Sequence, residues 1–215
     1  MNSFAFGILR IPEWILKFVY VNALWILFSC AGALLFGIFP ATAALFVVVR
    51  KWIHGNTEFP IFAVFWKIWK QDFLKSNALG YLLAVTGFSL YVYYELIQLL
   101  NGSALQILSI IFFMAAFLFV ITLFYAFPVF AHYESGVLTM IKTSFFMMIV
   151  SPLSTLMMLA GIAILYFTMV SFPGLFVLFG ASGLAFLFML SAEIAFTAIT
   201  RRKNKLLKKT ESNQH

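Results

Sequence analysis

The chain has 215 residues, 64% of them hydrophobic and 10% charged, with a net charge of +7, whereas an ordinary globular domain carries roughly 25% charged residues. That balance excludes a water-soluble domain, and its positive charge lies in short segments beside apolar runs, where it sets orientation and meets anionic lipid head groups instead of nucleic acid. Cys30 is the only cysteine, so an intrachain disulfide and a cysteine-based metal site are both excluded.

Four charge-free stretches, 18–49, 76–94, 96–131 and 143–192, dominate the sequence. Each is about as long as, or longer than, the roughly 20 apolar residues that cross a bilayer core. They predict an all-α fold: a polytopic transmembrane helical bundle forming a single integral domain over 1–215. Residues 1–17 place Trp14 and many aliphatic side chains beside Arg10, Glu13 and Lys17, which reads as an interfacial lead-in. The run that follows is too long for the core of a signal peptide, and no small-residue cleavage site succeeds it, so it reads as a retained first helix over 18–36. Ser29, Ala33 and Gly37 fall four residues apart and suggest a small face for close helix approach.

Pro40 at a favoured first-turn position opens another helix over 38–53. About 14 residues span only about 21 Å, short of the roughly 30 Å hydrocarbon core. If this segment crosses, there are six membrane segments, both termini are cytoplasmic, and all 14 Lys and Arg lie inside. If it re-enters, there are five, and Arg10 and Lys17 move outside. The positive-inside rule favours six, with five as the alternative.

Residues 54–76 predict a cytoplasmic amphipathic connector. After the turn His54-Gly55-Asn56-Thr57-Glu58-Phe59-Pro60, apolar residues recur at helical spacing opposite Lys67, Lys70 and Lys75, with Trp66 and Trp69 as interfacial anchors. Further crossings are expected at 78–99, 104–131, 143–170 and 174–200, joined outside by the short turns 101–103 and 171–174. The segment 201–215 is a basic cytoplasmic tail, expected to be disordered after Leu207.

Glu193 is the most pointed polar residue. It lies eight positions before Arg201, about 12 Å deeper by helical rise. A carboxylate there must be protonated, paired or hydrated. Arg50, Lys51, His132 and Lys142 approach the same level and are its candidate partners. A structural lock between helices and a proton or substrate relay are the two readings. Tyr91, Tyr93, Tyr94 and Glu95 read as an interfacial belt. His132, Glu134 and His54 lack the paired histidine spacing of a metal site, and Met147, Met148, Met157 and Met158 read as apolar filler. The sequence contains no phosphate-binding loop, nucleophile elbow, dinucleotide fingerprint or Cys–His pair, so neither an enzyme nor a cofactor is expected.

The segment beginning Tyr20-Val-Asn-Ala-Leu-Trp-Ile-Leu, then Gly37-Ile-Phe-Pro-Ala-Thr-Ala-Ala-Leu-Phe, then Arg50 with Gly55, resembles the opening of the YesL-like integral membrane proteins. Phe65-Trp66, Phe73 and Tyr125-Ala-Phe-Pro-Val-Phe-Ala-His-Tyr133 followed by Lys142 extend the likeness over most of 15–145. This is a bacterial family of unknown function whose members tend to be encoded beside carbohydrate uptake and degradation systems. The resemblance implies residence in the bacterial cell membrane and a link to oligosaccharide import. It suggests a non-enzymatic accessory subunit packed laterally against an ABC-type permease, with a sugar ligand left open. A small-solute secondary carrier using Glu193 is the alternative. The family supplies no catalytic residues.

Overall fold

The computed structural model describes the backbone of residues 3–99 and 104–212, and side chains within 12–97 and 109–201. Helices are its only regular elements among the described residues. They are α1 (Ser3–Ala31), α2 (Ile38–Ile53), α3 (Ile61–Gln71), α4 (Phe73–Leu99), α5 (Ala104–His132), α6 (Val137–Val150), α7 (Pro152–Ser171) and α8 (Pro173–Ser212). Five stretches are long and apolar enough to cross a membrane: Pro12–Ala31, Phe73–Ile97, Ser109–His132, Pro152–Ser171 and Pro173–Arg201. The chain is an all-α bundle with the character of a multi-pass membrane protein.

The helix expected at 38–53 is present with those bounds. Its 16 residues give about 24 Å of rise, shorter than the five long spans. It runs back along α1: Trp14 packs edge-on against Trp52 with ring centroids 5.7 Å apart, and Trp25 Nε1 donates to Thr42 Oγ1 at 3.0 Å. Lys17 Nζ also reaches the carbonyl of Thr57 at 3.4 Å. The start of the α1 span and the end of α2 therefore share one end of the bundle. The far tip of this hairpin meets the beginning of α4, where Asn77 Nδ2 donates to the Phe36 carbonyl at 3.0 Å and Tyr81 to that of Leu35 at 3.0 Å.

That tip corrects the small-face expectation. The helix stops at Ala31 instead of 36, and Ala33 and Leu34 adopt left-handed backbone angles of φ 55° and 62°. Ser29, Ala33 and Gly37 thus form no helical stripe. Gly32 and Gly37 instead close a tight turn, in which a Cβ on Gly37 would sit 2.3 Å from the Ser29 carbonyl oxygen. A side chain cannot fit there, which is why glycine is required.

Four further features differ from expectation. The amphipathic connector ends at Asp72, and residues 73–76 already belong to α4. The single crossing expected over 143–170 is broken at Ser151, with Pro152 opening α7. Proline lacks the N–H that would continue α6 but suits a first helical turn. The lead-in 1–17 is not a separate element from Ser3 onward but the start of α1, and the tail stays helical through Ser212. Its Lys, Leu and Glu are good helix formers. The turn expected at 101–103 lies outside the described residues, as does 213–215.

The remaining helices pair as hairpins. Lys75 Nζ lies 5.4 Å over the Phe130 ring and Tyr93 meets Phe112 at 5.6 Å, which makes α4 and α5 antiparallel. Gly161 faces Leu187 and Gly183 faces Leu165, which does the same for α7 and α8. Phe124 against Phe188 and His132 against Phe196 align α5 parallel to α8. At the centre lies α2, with Ala41, Ala43, Ala44, Leu45, Val48 and Val49 at most 1% exposed. Its alanines let its five neighbouring helices approach closely.

Candidate functional site

At the bundle end where α2, α5 and α8 converge, three donors meet one carboxylate oxygen. Glu193 Oε1 accepts from Arg50 Nε at 3.4 Å, His54 Nε2 at 3.0 Å and His132 Nδ1 at 3.3 Å. An ionised carboxylate only accepts hydrogen bonds, so both imidazole nitrogens facing it carry hydrogen. Arg50 Nη1 also donates to the Ala131 carbonyl at 3.0 Å. That carbonyl lies in the last turn of α5, where the helix leaves its acceptors without intrahelical partners and concentrates partial negative charge. One guanidinium therefore caps α5 and pairs α8 while rooted in α2. The His132 ring lies 4.0 Å from that of Phe196 and 4.6 Å from that of Tyr133. Partial burial and then the Glu193 charge push the Tyr133 phenol up, with Arg50 opposing them.

Glu193 keeps 11% of its side-chain surface, Arg50 33% and His54 51%. The cluster is thus closed on the carboxylate side and open toward the connector after α2. Of the partners expected for Glu193, the structure brings Arg50 and His132 to it. Lys51 points elsewhere, its Nζ 5.6 Å over the Phe59 ring. Lys142 lines a separate cleft with Thr86, Thr122 and Phe145. His54 is the partner that spacing did not indicate. Among the described residues no group of three His, Cys, Asp or Glu is placed to hold a metal ion. Trp66 and Trp69 stack with centroids 5.5 Å apart and 11° between their planes, and both pack on Phe28.

Asn22 also escaped the sequence reading. Its Oδ1 accepts from the backbone N–H groups of Ala181 and Ser182, both at 3.1 Å, and its Nδ2 donates to the Val177 carbonyl at 2.7 Å. A buried amide with its partners in place is a strong tether in lipid. An asparagine within a charge-free run was the available signal. Beside it lies the largest cavity described, about 590 Å³, walled by residues such as Trp25, Phe46, Phe124, Phe176 and Phe188. Glu193 does not line it.

The fold and cluster define a multi-pass helical membrane protein whose short and long helices are pinned at one end by a buried carboxylate. The comparisons assign its family. Residues 18–94 match the family described as "Protein of unknown function, DUF624". The chain is 39% identical to the uncharacterized protein YteU of Bacillus subtilis (strain 168), over 84% of this chain and 81% of that one. It is 32% identical to the uncharacterized protein YesL of the same organism, over 95% and 97% respectively, and 33% identical to YesV over 78% and 81%. The chain belongs to this YesL-like, DUF624 family. No solved structure matches it.

Proposed function

We propose that the protein is a non-enzymatic accessory subunit in a bacterial cell membrane, packed laterally against an ABC-type permease for carbohydrate import. The observation that carries the accessory role is the convergence of groups from α2, the connector after it and α5 on Glu193. Among the described residues it is the only buried acid, and one oxygen already takes three donors. Such a group fastens helices to one another. The alternative carrier would need this carboxylate to line a solute path, and the apolar cavity of about 590 Å³ beside Asn22 leaves it out. Lateral packing is supported by α7, whose Leu153, Leu156, Ile164, Phe167 and Val170 are each more than 60% exposed. Such a face suits lipid or a partner helix. The carbohydrate link and the ABC-type partner rest on the YesL-like resemblance alone.

Affinity purification of the tagged chain from its native membrane in mild detergent tests this reading. A permease subunit is expected to co-purify in fixed stoichiometry. A chain that purifies alone and, reconstituted in vesicles, carries out sugar uptake by itself would overturn the accessory role.

A further inference from the structure

Arg50 also lines a second cavity, about 570 Å³, bounded by α2, α3, the start of α4 and the end of α5. It is polar where the larger cavity is apolar. Its charged lining is Arg50, Lys51, Lys67 and Lys75 against Asp72 and Glu134. Four cations and two acids leave a formal surplus of +2, or +1 once Glu193 is set against Arg50. Gln71 and Tyr133 add neutral hydrogen-bonding groups.

Two of the lysines are held in place and, among the described residues, none of the three is ion-paired. Lys51 and Lys75 rest on the faces of Phe59 and Phe130, at 5.6 and 5.4 Å, which orients an ammonium while leaving its charge available. Among the described residues no carboxylate oxygen lies within ion-pair distance of Lys51, Lys67 or Lys75. They come from three different helices, so no single amphipathic face explains their convergence. The wall is also partly shielded from water: burial pushes the Asp72 carboxyl up, Lys75 opposes this and Glu134 adds to it. Fixed cations in a partly desolvated recess attract anions more strongly than the same residues on an open surface.

We propose that this recess is a binding site for a phosphate-bearing molecule, its phosphate held by Lys51, Lys67 and Lys75 and its hydroxyl groups accepted by Asp72 and Glu134. That chemistry is shared by a sugar phosphate from solution and by the glycerophosphate head group of an anionic lipid. The site is independent of the permease reading.

The test uses the full-length protein, delipidated in a neutral detergent, with thermal unfolding followed by tryptophan fluorescence. One arm titrates glucose 6-phosphate, with glucose as control. The other titrates a short-chain phosphatidylglycerol below its micelle concentration, with the matching phosphatidylcholine as control. A saturable rise in Tm in one arm, absent from its control, is expected because a ligand that binds only the folded state stabilises it. The arm that responds names the source. Lys67→Gln/Lys75→Gln should weaken the apparent Kd at least about ten-fold, the effect of losing two charge-assisted bonds. Lys142→Gln, in a different cleft, should leave it unchanged. Should the double variant misfold, exposed Lys67→Gln alone serves, with a weakening of at least about three-fold. No saturable response in either arm overturns the proposal. So does a lysine variant that binds as tightly as the wild type.

Discussion

Glu193 separates the structural and relay readings at the level of one side chain. All three donors address Oε1, and a glutamine presents an oxygen in the same place. Glu193→Gln should therefore cost less than Glu193→Leu, since the amide oxygen still accepts the hydrogen bonds although Arg50 loses its anion in both. Glu193→Leu leaves Arg50 without its anion. Breaking a fully buried pair costs roughly 3–5 kcal/mol. Because Arg50 keeps 33% exposure, a loss of about 1–3 kcal/mol is expected, read as reduced folded yield and a lower melting temperature in detergent. A relay predicts the reverse pattern: a Gln variant that folds and assembles normally but abolishes sugar-dependent growth. The sequence revealed Glu193 because a lone carboxylate in an apolar run is conspicuous. It also placed four cations near the right depth. Depth follows from residue count, whereas the direction a side chain faces depends on how helices rotate and tilt. Arg50 and His132 therefore meet Glu193, but Lys51 and Lys142 turn away. His54 was missed because it sits just past the end of α2, in a connector placed only by tertiary packing.

At the scale of the element, α3 shows the same division. Spacing revealed its amphipathic character, and the helix forms over Ile61–Gln71. Its end was not legible, because Lys75 continues the apparent polar arc and nothing in the pattern marks Asp72 as a break. Nor was its partner: Phe28 of α1 packs against Phe62, Phe65, Trp66 and Trp69 with centroids 5.2–6.0 Å away. The two tryptophans consequently differ. Trp66 is 44% exposed, whereas Trp69 Nε1 is buried. In an interfacial α3, Trp66 should be quenched most by lipids labelled at head-group depth. Trp69 should be quenched less by every label, being shielded by Phe28 and Phe73. Single-tryptophan variants in vesicles would measure both. Equal, water-like accessibility to a soluble quencher at the two positions would refute a membrane-lying helix.

For the whole molecule, the hairpin of α1 and α2 constrains which chain segments share an end of the bundle. Trp14 meets Trp52, and Lys17 reaches the Thr57 carbonyl, so the start of the first span shares an end with the connector after α2. His54 in that connector binds Glu193, which places the exit of α8 at the same end. Six membrane segments require α2 to cross as well, whereas five stretches other than α2 are long and apolar enough to do so. Lys17, Arg50 and Arg201 then lie toward that shared end, and the positive-inside rule predicts that it faces the cytoplasm. Cysteine labelling in intact cells tests the orientation. Cys30 is exposed, so the background must carry Cys30→Ser. Phe172→Cys, at the turn between α7 and α8, should react with an impermeant maleimide from outside. Ser3→Cys and Glu58→Cys should react only after the membrane is permeabilised. External labelling of Ser3→Cys together with protection of Glu58→Cys would separate two positions that the hairpin holds at one end, and would overturn this arrangement.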